Sequence, residues 1–234
     1  MNLVILSSDT AHHRFFFQKI NESFEIKNIL LETNSYKPSF DTASPFEDEE
    51  DEFETKNFFE STPNALPNVE INYFDSINSK EALDLLNKVK PEVGIVFGTG
   101  KLKPEIIGKF SYCLMNVHRG IPEFYRGLDS DLWAIYEDKL DLIGTTLHLV
   151  DEELDTGEIV YQDYLNLKKN MKIHQIRFHT TLIAIDLALK ALTDIKQGRF
   201  KSYPQKRKGS YYSFMPSDKK KEVTLKFNNY CLDI

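Results

Sequence analysis

Three polar residues in the middle of the chain carry functional groups suited to acyl and proton transfer. Asn116 and His118 lie two residues apart at the end of an apolar, strand-like run, and Asp155 follows a second run, GTTLHLV. Successive side chains of a strand point to opposite faces, so Asn116 and His118 share a face. Asp155 precedes Thr156-Gly157, where a tight turn can return a carboxylate to the same sheet edge. The pattern predicts that an amide, an imidazole and a carboxylate converge.

Each of these residues also has an ordinary structural explanation. A histidine at a strand end is more often a hydrogen-bonded structural residue than a catalyst, and an aspartate before glycine usually forms a turn. The segment after His118 favours a functional interpretation, because the loop 121–127 combines Pro122, Tyr125 and Arg126 with a terminal glycine. That combination is long and rarely arises by chance.

Together these motifs resemble the folate-dependent formyltransferase family, which includes glycinamide ribonucleotide transformylase, methionyl-tRNA formyltransferase and the sugar N-formyltransferases. The resemblance covers roughly residues 1–165. One departure is the loop Arg119-Gly120-Ile121-Pro122, where most relatives have a small residue and leucines before the proline. The matching motifs are Asn116-x-His118-x-x-Ile121-Pro122-x-x-Tyr125-Arg126-Gly127, Trp133-Ala134-Ile135, Gly144-Thr145-Thr146-x-His148 and Asp155-Thr156-Gly157-x-Ile159.

The resemblance implies the roles of individual residues. It implies that Asn116, His118 and Asp155 are the catalytic trio, that N10-formyltetrahydrofolate is the cosubstrate, and that no metal is required. In the family, the loop matching 100–103 binds the pterin and the segment matching 151–154 closes the other side. The residues expected to bind folate are Gly98, Gly100, Lys101, Leu102, Lys103, Asp151 and Leu154.

The acceptor substrate is expected to contact two other segments. No glycine precedes Gly94, so the first strand-to-helix loop lacks the residue type that lets a backbone approach a phosphate closely. His12 and Arg14 could instead contact a phosphate through their side chains, although such residues are about as often merely solvated. Pro122, Tyr125 and Arg126 are expected to contact the acceptor from the loop after His118.

Alternating strand and helix patterns predict the fold class α/β, with a Rossmann-like, mostly parallel sheet flanked by helices. Residues 1–200 are expected to form the catalytic domain. Residues 201–234 are expected to add a β-hairpin, because 211–214 and 222–227 read as strands around a Pro-Ser-Asp turn. This extension is too short for the C-terminal domain that methionyl-tRNA formyltransferase uses on tRNA.

One further segment predicts an acidic helix. Ser44-Pro45-Phe46-Glu47 reads as a capping box that starts a helix ending near Phe59. The acidic run at its start is interpreted as a solvated face.

Composition restricts the partners and the compartment. The net charge of −7 argues against a broad nucleic-acid footprint, which needs clustered lysine and arginine. The two cysteines have no metal-binding spacing, and neither a signal peptide nor a bilayer-spanning run is present. We therefore expect a cytoplasmic protein whose partners are small molecules, with no nucleic acid and no membrane.

The leading hypothesis is formyl transfer from N10-formyltetrahydrofolate to a nucleotide-linked amino sugar, with dTDP-4-amino-4,6-dideoxyglucose as the expected acceptor. Alternatives within the family are a dTDP-3-amino-3,6-dideoxyhexose N-formyltransferase and glycinamide ribonucleotide transformylase. A non-catalytic nucleotide-binding protein is the alternative from another class, and the intact trio argues against it. The base, the sugar and the amine position stay open. Aromatic residues in 201–234 further predict a homodimer through the C-terminal hairpin.

Overall fold

The computed structural model describes residues 1–34 and 37–234. Most of its strands are short runs of apolar residues. The strands are β1 (Leu3–Ser7), β2 (Ile26–Glu32), β3 (Glu70–Phe74), β4 (Val93–Phe97), β5 (Cys113–His118), β6 (Tyr125–Gly127), β7 (Gly144–Leu149), β8 (Ile159–Tyr164) and β9 (Ser210–Tyr212).

Helices connect the strands and cover both faces of the sheet. Two helix ends have a local cause: the Ser79 hydroxyl accepts the Ala82 N–H at 3.2 Å, and the long sixth helix stops just before Gly198, whose φ is 66°. The helices are α1 (Ala11–Ser23), α2 (Glu47–Phe58), α3 (Lys80–Val89), α4 (Pro104–Ile107), α5 (Ser130–Tyr136), α6 (Ile176–Lys196) and α7 (Ser217–Asp233), with 3-10 turns at Leu140–Leu142 and Ile173–Gln175.

The central sheet has seven strands in the order β3-β2-β1-β4-β5-β7-β8. The first five strands in that order pair in parallel, whereas β7 pairs antiparallel with both β5 and β8. Parallel strands buried on both faces require continuous apolar sequence, which is what β1 and β4 contain. The predicted α/β class is confirmed, and β5 lies where the parallel and antiparallel parts of the sheet meet.

The two faces of the sheet have separate cores. Met115 and Val117 of β5 pack against α1 and α6, and we call this side the α1–α6 face. Leu114 packs on the opposite side with Leu86 of α3 and Ile106 of α4, and we call this side the α3–α4 face. Because side chains alternate along a strand, Asn116 and His118 share the face of Leu114.

The predicted C-terminal β-hairpin is wrong. The segment Ser210–Tyr212 is a strand, but it pairs in parallel with β6, and residues 222–227 belong to α7. Val223, Phe227 and Cys231 are buried at intervals of four residues, which is helical spacing. They pack with Leu132 of α5 in one core, so α7 completes the fold around the loop that follows His118.

The acidic run of α2 is only partly solvated, contrary to the prediction. Glu54 is fully buried, Glu50 is nearly so, and both carboxylates contact the Arg177 guanidinium, at 2.7 Å and 2.8 Å respectively. The predicted capping box is also not formed, because α2 begins after Phe46 without a side-chain cap. The sequence could not reveal Arg177 as a partner, since it lies more than a hundred residues further along the chain.

Within the described ranges, no helix combines the length and apolarity needed to cross a bilayer.

The helical assignment of the C-terminal segment can be tested by stability. Phe227→Ala is expected to lower the free energy of unfolding by about 3–5 kcal/mol, because a fully buried phenylalanine leaves a cavity. Leu225→Ala is the matched control, since Leu225 is 67% exposed on the same helix, and at a protein concentration where the chain is monomeric its effect is expected to stay within about 0.5 kcal/mol. Urea unfolding measures both. Equal losses would contradict the helical placement, because a strand would bury both alternate positions.

Candidate active site

A buried carboxylate lies at the carboxyl end of β5 and joins several elements. Asp155 Oδ2 is 3.5 Å from His118 Nδ1, and Asp155 Oδ1 is 3.4 Å from His148 Nε2. Asp155 Oδ2 also accepts the Gly127 N–H at 2.8 Å, and Asn116 Nδ2 lies 3.4 Å from Oδ1. The structure thus brings together Asn116, His118 and Asp155.

The turn that carries Asp155 follows from its sequence. Asp155 has a φ of 55°, in the left-handed region that aspartate tolerates better than most residues. A Cβ on Gly157 would lie 1.7 Å from the Leu149 carbonyl oxygen, so only glycine fits there. The Thr156 hydroxyl donates to the Asp151 carboxylate at 2.7 Å and fixes the loop before the turn. The predicted tight turn therefore places the carboxylate at the sheet edge.

The ring of His118 is oriented by a backbone carbonyl. His118 Nε2 lies 2.9 Å from the Tyr125 carbonyl oxygen, which can only accept, so we assign the proton of the neutral ring to Nε2. The lone pair then resides on Nδ1, facing Asp155. A second proton taken up at Nδ1 would be stabilised by the carboxylate, which suits the ring to act as a base.

The amide of Asn116 is held by the second histidine. His148 Nδ1 is 2.8 Å from the Leu149 carbonyl oxygen, which assigns a proton to that nitrogen and leaves Nε2 to accept from Asn116 Nδ2 at 3.1 Å. The second Asn116 N–H meets Asp155 only at 3.4 Å, near the long limit of a hydrogen bond. That N–H can therefore turn to a developing oxyanion.

The charge state of Asp155 results from opposing effects. Burial alone would raise the pKa of the Asp155 carboxyl, but the facing rings of His118 and His148 and the Gly127 N–H hold that pKa well below its ordinary value. Asp155 is therefore an anion throughout the physiological range. It can orient a ring and stabilise a positive charge without itself accepting a proton.

A cavity of about 420 Å³ opens beside this cluster, within the range of small-molecule sites. Six of the seven residues predicted to bind folate line it, and Lys103 does not. Some of their backbone groups are already engaged: Gly100 donates its N–H to Glu32 at 2.8 Å, and the Lys101 carbonyl accepts from Asn78 at 2.9 Å. The six are Gly98, Gly100, Lys101, Leu102, Asp151 and Leu154.

The residues predicted to contact the acceptor from the loop 121–127 lie outside the cavity lining. Pro122 and Tyr125 are buried, and the Tyr125 hydroxyl donates to Glu137 at 3.0 Å. Arg126 donates to the Gly209 carbonyl at 2.8 Å and to the Leu154 carbonyl at 3.2 Å. In this structure these side chains brace the loop and its neighbours, which orients the Tyr125 carbonyl that holds His118.

The residues predicted to meet a phosphate on α1 also lie outside the cavity lining. His12 is buried, with Nδ1 3.0 Å from the Thr10 hydroxyl and 3.6 Å from Glu54. Burial, followed by the positive charges of Arg177 and Arg119, lowers the pKa of His12 well below its usual value, so its ring is neutral. Arg14 forms a bidentate pair with Asp9, at 2.6 Å and 3.1 Å. Neither side chain is free for an anion.

Sequence reasoning missed His148 as a functional residue, although it noted the motif that contains it. The pairing of Asn116 with His148 across β5 and β7 depends on strand register. The only sequence feature that pointed to His148 was the alternation of GTTLHLV, which puts His148 on the same face of the strand as Thr146. Among residues 1–34 and 37–234, no group of three or more His, Cys, Asp or Glu is arranged to hold a metal ion.

Comparison with protein families identifies the family of the chain. The model of the formyl transferase family matches residues 1–181, which is most of the chain. The chain belongs to the formyl transferase family. The predicted family is thereby confirmed.

Two curated relatives of the chain are methionyl-tRNA formyltransferases. The chain is 30% identical to the enzyme of Carboxydothermus hydrogenoformans over 146 residues, covering 62% of this chain and 47% of that one. It is 28% identical to the enzyme of Finegoldia magna over 123 residues, covering 52% of this chain and 39% of that one. The chain thus spans about half the length of these relatives or less.

Solved formyl transferase structures share the fold over most of their length. A 4-N formyltransferase from Francisella tularensis superposes with a TM-score of 0.65 at 18% identity, covering 97% of this chain and 87% of that one. The formyltransferase PseJ from Anoxybacillus kamchatkensis, solved with UDP-4,6-dideoxy-4-formamido-L-AltNAc and tetrahydrofolate, superposes with a TM-score of 0.60 at 22% identity. That match covers 95% of this chain and 90% of PseJ. These likenesses establish the fold.

The lowered pKa of Asp155 predicts a pH dependence of stability. An unfolded aspartate titrates near about pH 3.9, so the extra stability from the folded carboxylate is present above about pH 4 and is lost as the pH falls further. Asp155→Asn removes this titration. The stability of the wild type relative to Asp155→Asn is expected to decline between about pH 4 and pH 3, as measured by urea unfolding. A constant difference across that range would show that the carboxylate is not held as an anion.

Proposed function

We propose that the chain is a folate-dependent N-formyltransferase that moves a formyl group from N10-formyltetrahydrofolate to the amine of a nucleotide-linked amino sugar. The observation that carries this proposal is the convergence of Asn116, His118 and Asp155 at one cavity. Segments that the family resemblance assigns to folate form part of the lining of that cavity. A non-catalytic nucleotide-binding protein would not require a buried carboxylate held between two histidines.

The cavity is suited to a flat ring with polar edges. Apolar contacts come from Val96, Leu102 and Val150, and the backbone of 98–101 forms an adjacent edge. Leu102 and Val150 both belong to the core of the α3–α4 face, so folate is expected on that side. The donor supplies a formyl group attached to nitrogen, and the chain must supply proton transfer and charge stabilisation.

Acyl transfer to an amine creates two charges that the site must manage. The attacking nitrogen becomes positive, and Nδ1 of His118 can take its proton because Nε2 is committed to the Tyr125 carbonyl. The carbonyl oxygen becomes negative, and the Asn116 amide can donate to it. Asp155 stabilises the protonated ring, and that ring can then return the proton to the leaving nitrogen.

An amino sugar is favoured as acceptor by two considerations. The two solved formyltransferases compared above match nearly the full length of this chain, and PseJ was solved with a nucleotide-linked formamido sugar. The net charge of −7 offers little to attract a polyanion such as tRNA. We propose dTDP-4-amino-4,6-dideoxyglucose as the acceptor, with the dTDP-linked 3-amino isomer and glycinamide ribonucleotide as alternatives.

Methionyl-tRNA is a second candidate acceptor, because the curated relatives at 28–30% identity carry that activity in their names.

A direct assay separates the candidate acceptors. Formyl transfer from N10-formyltetrahydrofolate would be measured to a panel of dTDP- and UDP-linked amino sugars, to glycinamide ribonucleotide and to methionyl-tRNA. The proposal expects the highest kcat/KM on an amino sugar. Activity confined to methionyl-tRNA or to glycinamide ribonucleotide would contradict an amino-sugar acceptor.

The roles of the trio predict distinct kinetic losses. His118→Ala and Asp155→Ala are each expected to lower kcat by about 10² to 10⁴ with little change in substrate binding, because proton transfer is lost. Asn116→Ala is expected to lower kcat by about 10² to 10³ through loss of the oxyanion donor. His174→Ala, a histidine outside the cavity lining, is the control and should leave kcat unchanged. A folded His118→Ala enzyme with near wild-type kcat would refute this mechanism.

We further propose that the protein forms a homodimer through α7, which replaces the hairpin as the candidate contact. Leu225 and Leu232 are 67% and 47% exposed and lie seven residues apart on one face of this helix, an apolar surface that a second copy could cover. Phe227, by contrast, is already buried within its own chain.

Leu225→Glu is expected to shift the dimer to monomer in sedimentation velocity, because a charge would be buried in the contact. Thr55→Glu adds the same charge at an exposed position of α2 and should not dissociate it. A wild-type monomer, or a Leu225→Glu variant that stays dimeric, would contradict this contact.

A further inference from the structure

One arginine in the cavity has no partner among the residues that the structure describes. Arg119 lines the cavity directly after His118, is half-buried, and forms no hydrogen bond or ion pair with any residue in the described ranges. Every other arginine donates to a carboxylate or a carbonyl within 3.2 Å. A guanidinium has five N–H donors and is costly to bury unpaired, so this position is suited to a ligand that supplies the acceptors.

Strand alternation places Arg119 on the side opposite to the expected folate. His118 shares the face of Leu114, so the next residue turns toward the α1–α6 face. The charge of Arg119 acts on His12, on Glu50 of α2 and on Asp131 at the start of α5. Arg119 therefore lies within electrostatic range of α1, α2 and the start of α5, in the lining of the same cavity as Leu102 and Val150.

The carboxylates near Arg119 do not serve as its counter-ions. Burial raises the pKa of Glu50 to about 7, and its carboxylate is bound to Arg177 at 2.8 Å. Asp131 already accepts the Leu132 N–H at 2.9 Å, and burial raises its pKa as well. Neither approaches Arg119 within 4.0 Å, the limit for an ion pair. The guanidinium thus stays available to a ligand.

We propose that Arg119 binds the diphosphate of a nucleotide-sugar acceptor and so positions the amine beside His118; this rests on the proposed function. A guanidinium binds phosphate oxygens in a bidentate manner and fixes both distance and direction. In an amino sugar, the pyranose ring separates the anomeric phosphate from the 4-amine. Neighbouring residues can therefore hold both ends of one sugar, with Arg119 at the phosphate and His118 at the amine.

The first test is equilibrium binding of dTDP and UDP by calorimetry. Arg119→Gln is expected to weaken binding of whichever diphosphate binds the wild type more tightly by about tenfold or more. Arg119→Lys, which keeps the charge without the bidentate geometry, is expected to lose less affinity. Arg199→Gln is the matched control, since it removes the same charge at a surface pair with Asp194. Tetrahydrofolate, titrated separately, should bind all three variants as it binds the wild type.

Several outcomes would overturn the inference. These are unchanged diphosphate binding in Arg119→Gln, an equal loss in Arg199→Gln, or a matching loss of tetrahydrofolate affinity, which would assign Arg119 to the carboxylates of folate. If Arg119→Gln does not fold, Arg119→Lys must still show a loss of diphosphate affinity.

Failure of the proposed function gives a different result. If no amino sugar accepts a formyl group but Arg119 governs dTDP binding, the acceptor is wrong and the anion site stands. If transfer occurs and Arg119→Gln keeps the wild-type kcat/KM, the function stands and the anion site is wrong.

Discussion

A buried negative charge must be surrounded by donors or neutralised, and this requirement governs the site around Asp155. Its two oxygens meet His118 from β5, His148 from β7 and the Gly127 N–H from β6. These elements are distant in sequence, and only the closed fold brings the two rings and the Gly127 N–H to one carboxylate. The left-handed backbone of Asp155 is tolerated because this arrangement stabilises it.

The antiparallel strand β7 provides the second histidine. Asn116 lies directly opposite His148 in this pair, so the amide that can serve an oxyanion and the ring that orients it are cross-strand neighbours. A parallel neighbour would have needed a long crossover at the same edge, whereas the antiparallel pair lets β8 follow through the Asp155 turn. The same local topology thus supplies the carboxylate and the ring that holds Asn116.

The two faces of the sheet differ in polarity near the cavity. The α3–α4 face contributes the apolar wall with Leu102 and Val150, and the α1–α6 face contributes the ionic layer around Arg177. The carboxylates of α2 neutralise Arg177, which leaves Arg119 as the half-buried cation without a partner in the described part of the chain. In the proposed function, the apolar wall would hold the folate donor and Arg119 the acceptor.

Local sequence was sufficient for the strands, for α3 and α6, and for the convergence of Asn116, His118 and Asp155. Each of these features is set by local sequence, either by the periodicity of apolar residues or by a turn residue such as Gly157. Features set by distant contacts could not be read in this way. The sequence predicts a solvated Glu54, but its carboxylate binds Arg177. It predicts that Arg126 contacts the acceptor, but the side chain donates to two backbone carbonyls. It predicts strands where α7 lies, because the aromatic residues of that segment have high β propensity. The role of His148 depended on register, which no single strand encodes.

The central claim is that Asp155 and His118 act as one unit in the proposed transfer, and a double-mutant cycle measures this directly. Formyl-transfer kcat would be determined for His118→Gln, Asp155→Asn and the double variant, each shown to be folded. Residues that act as a unit give non-additive losses, so the double variant is predicted to be about as slow as the slower single variant. Losses that multiply in the double variant would contradict the account, because they would mean that the carboxylate and the imidazole act independently.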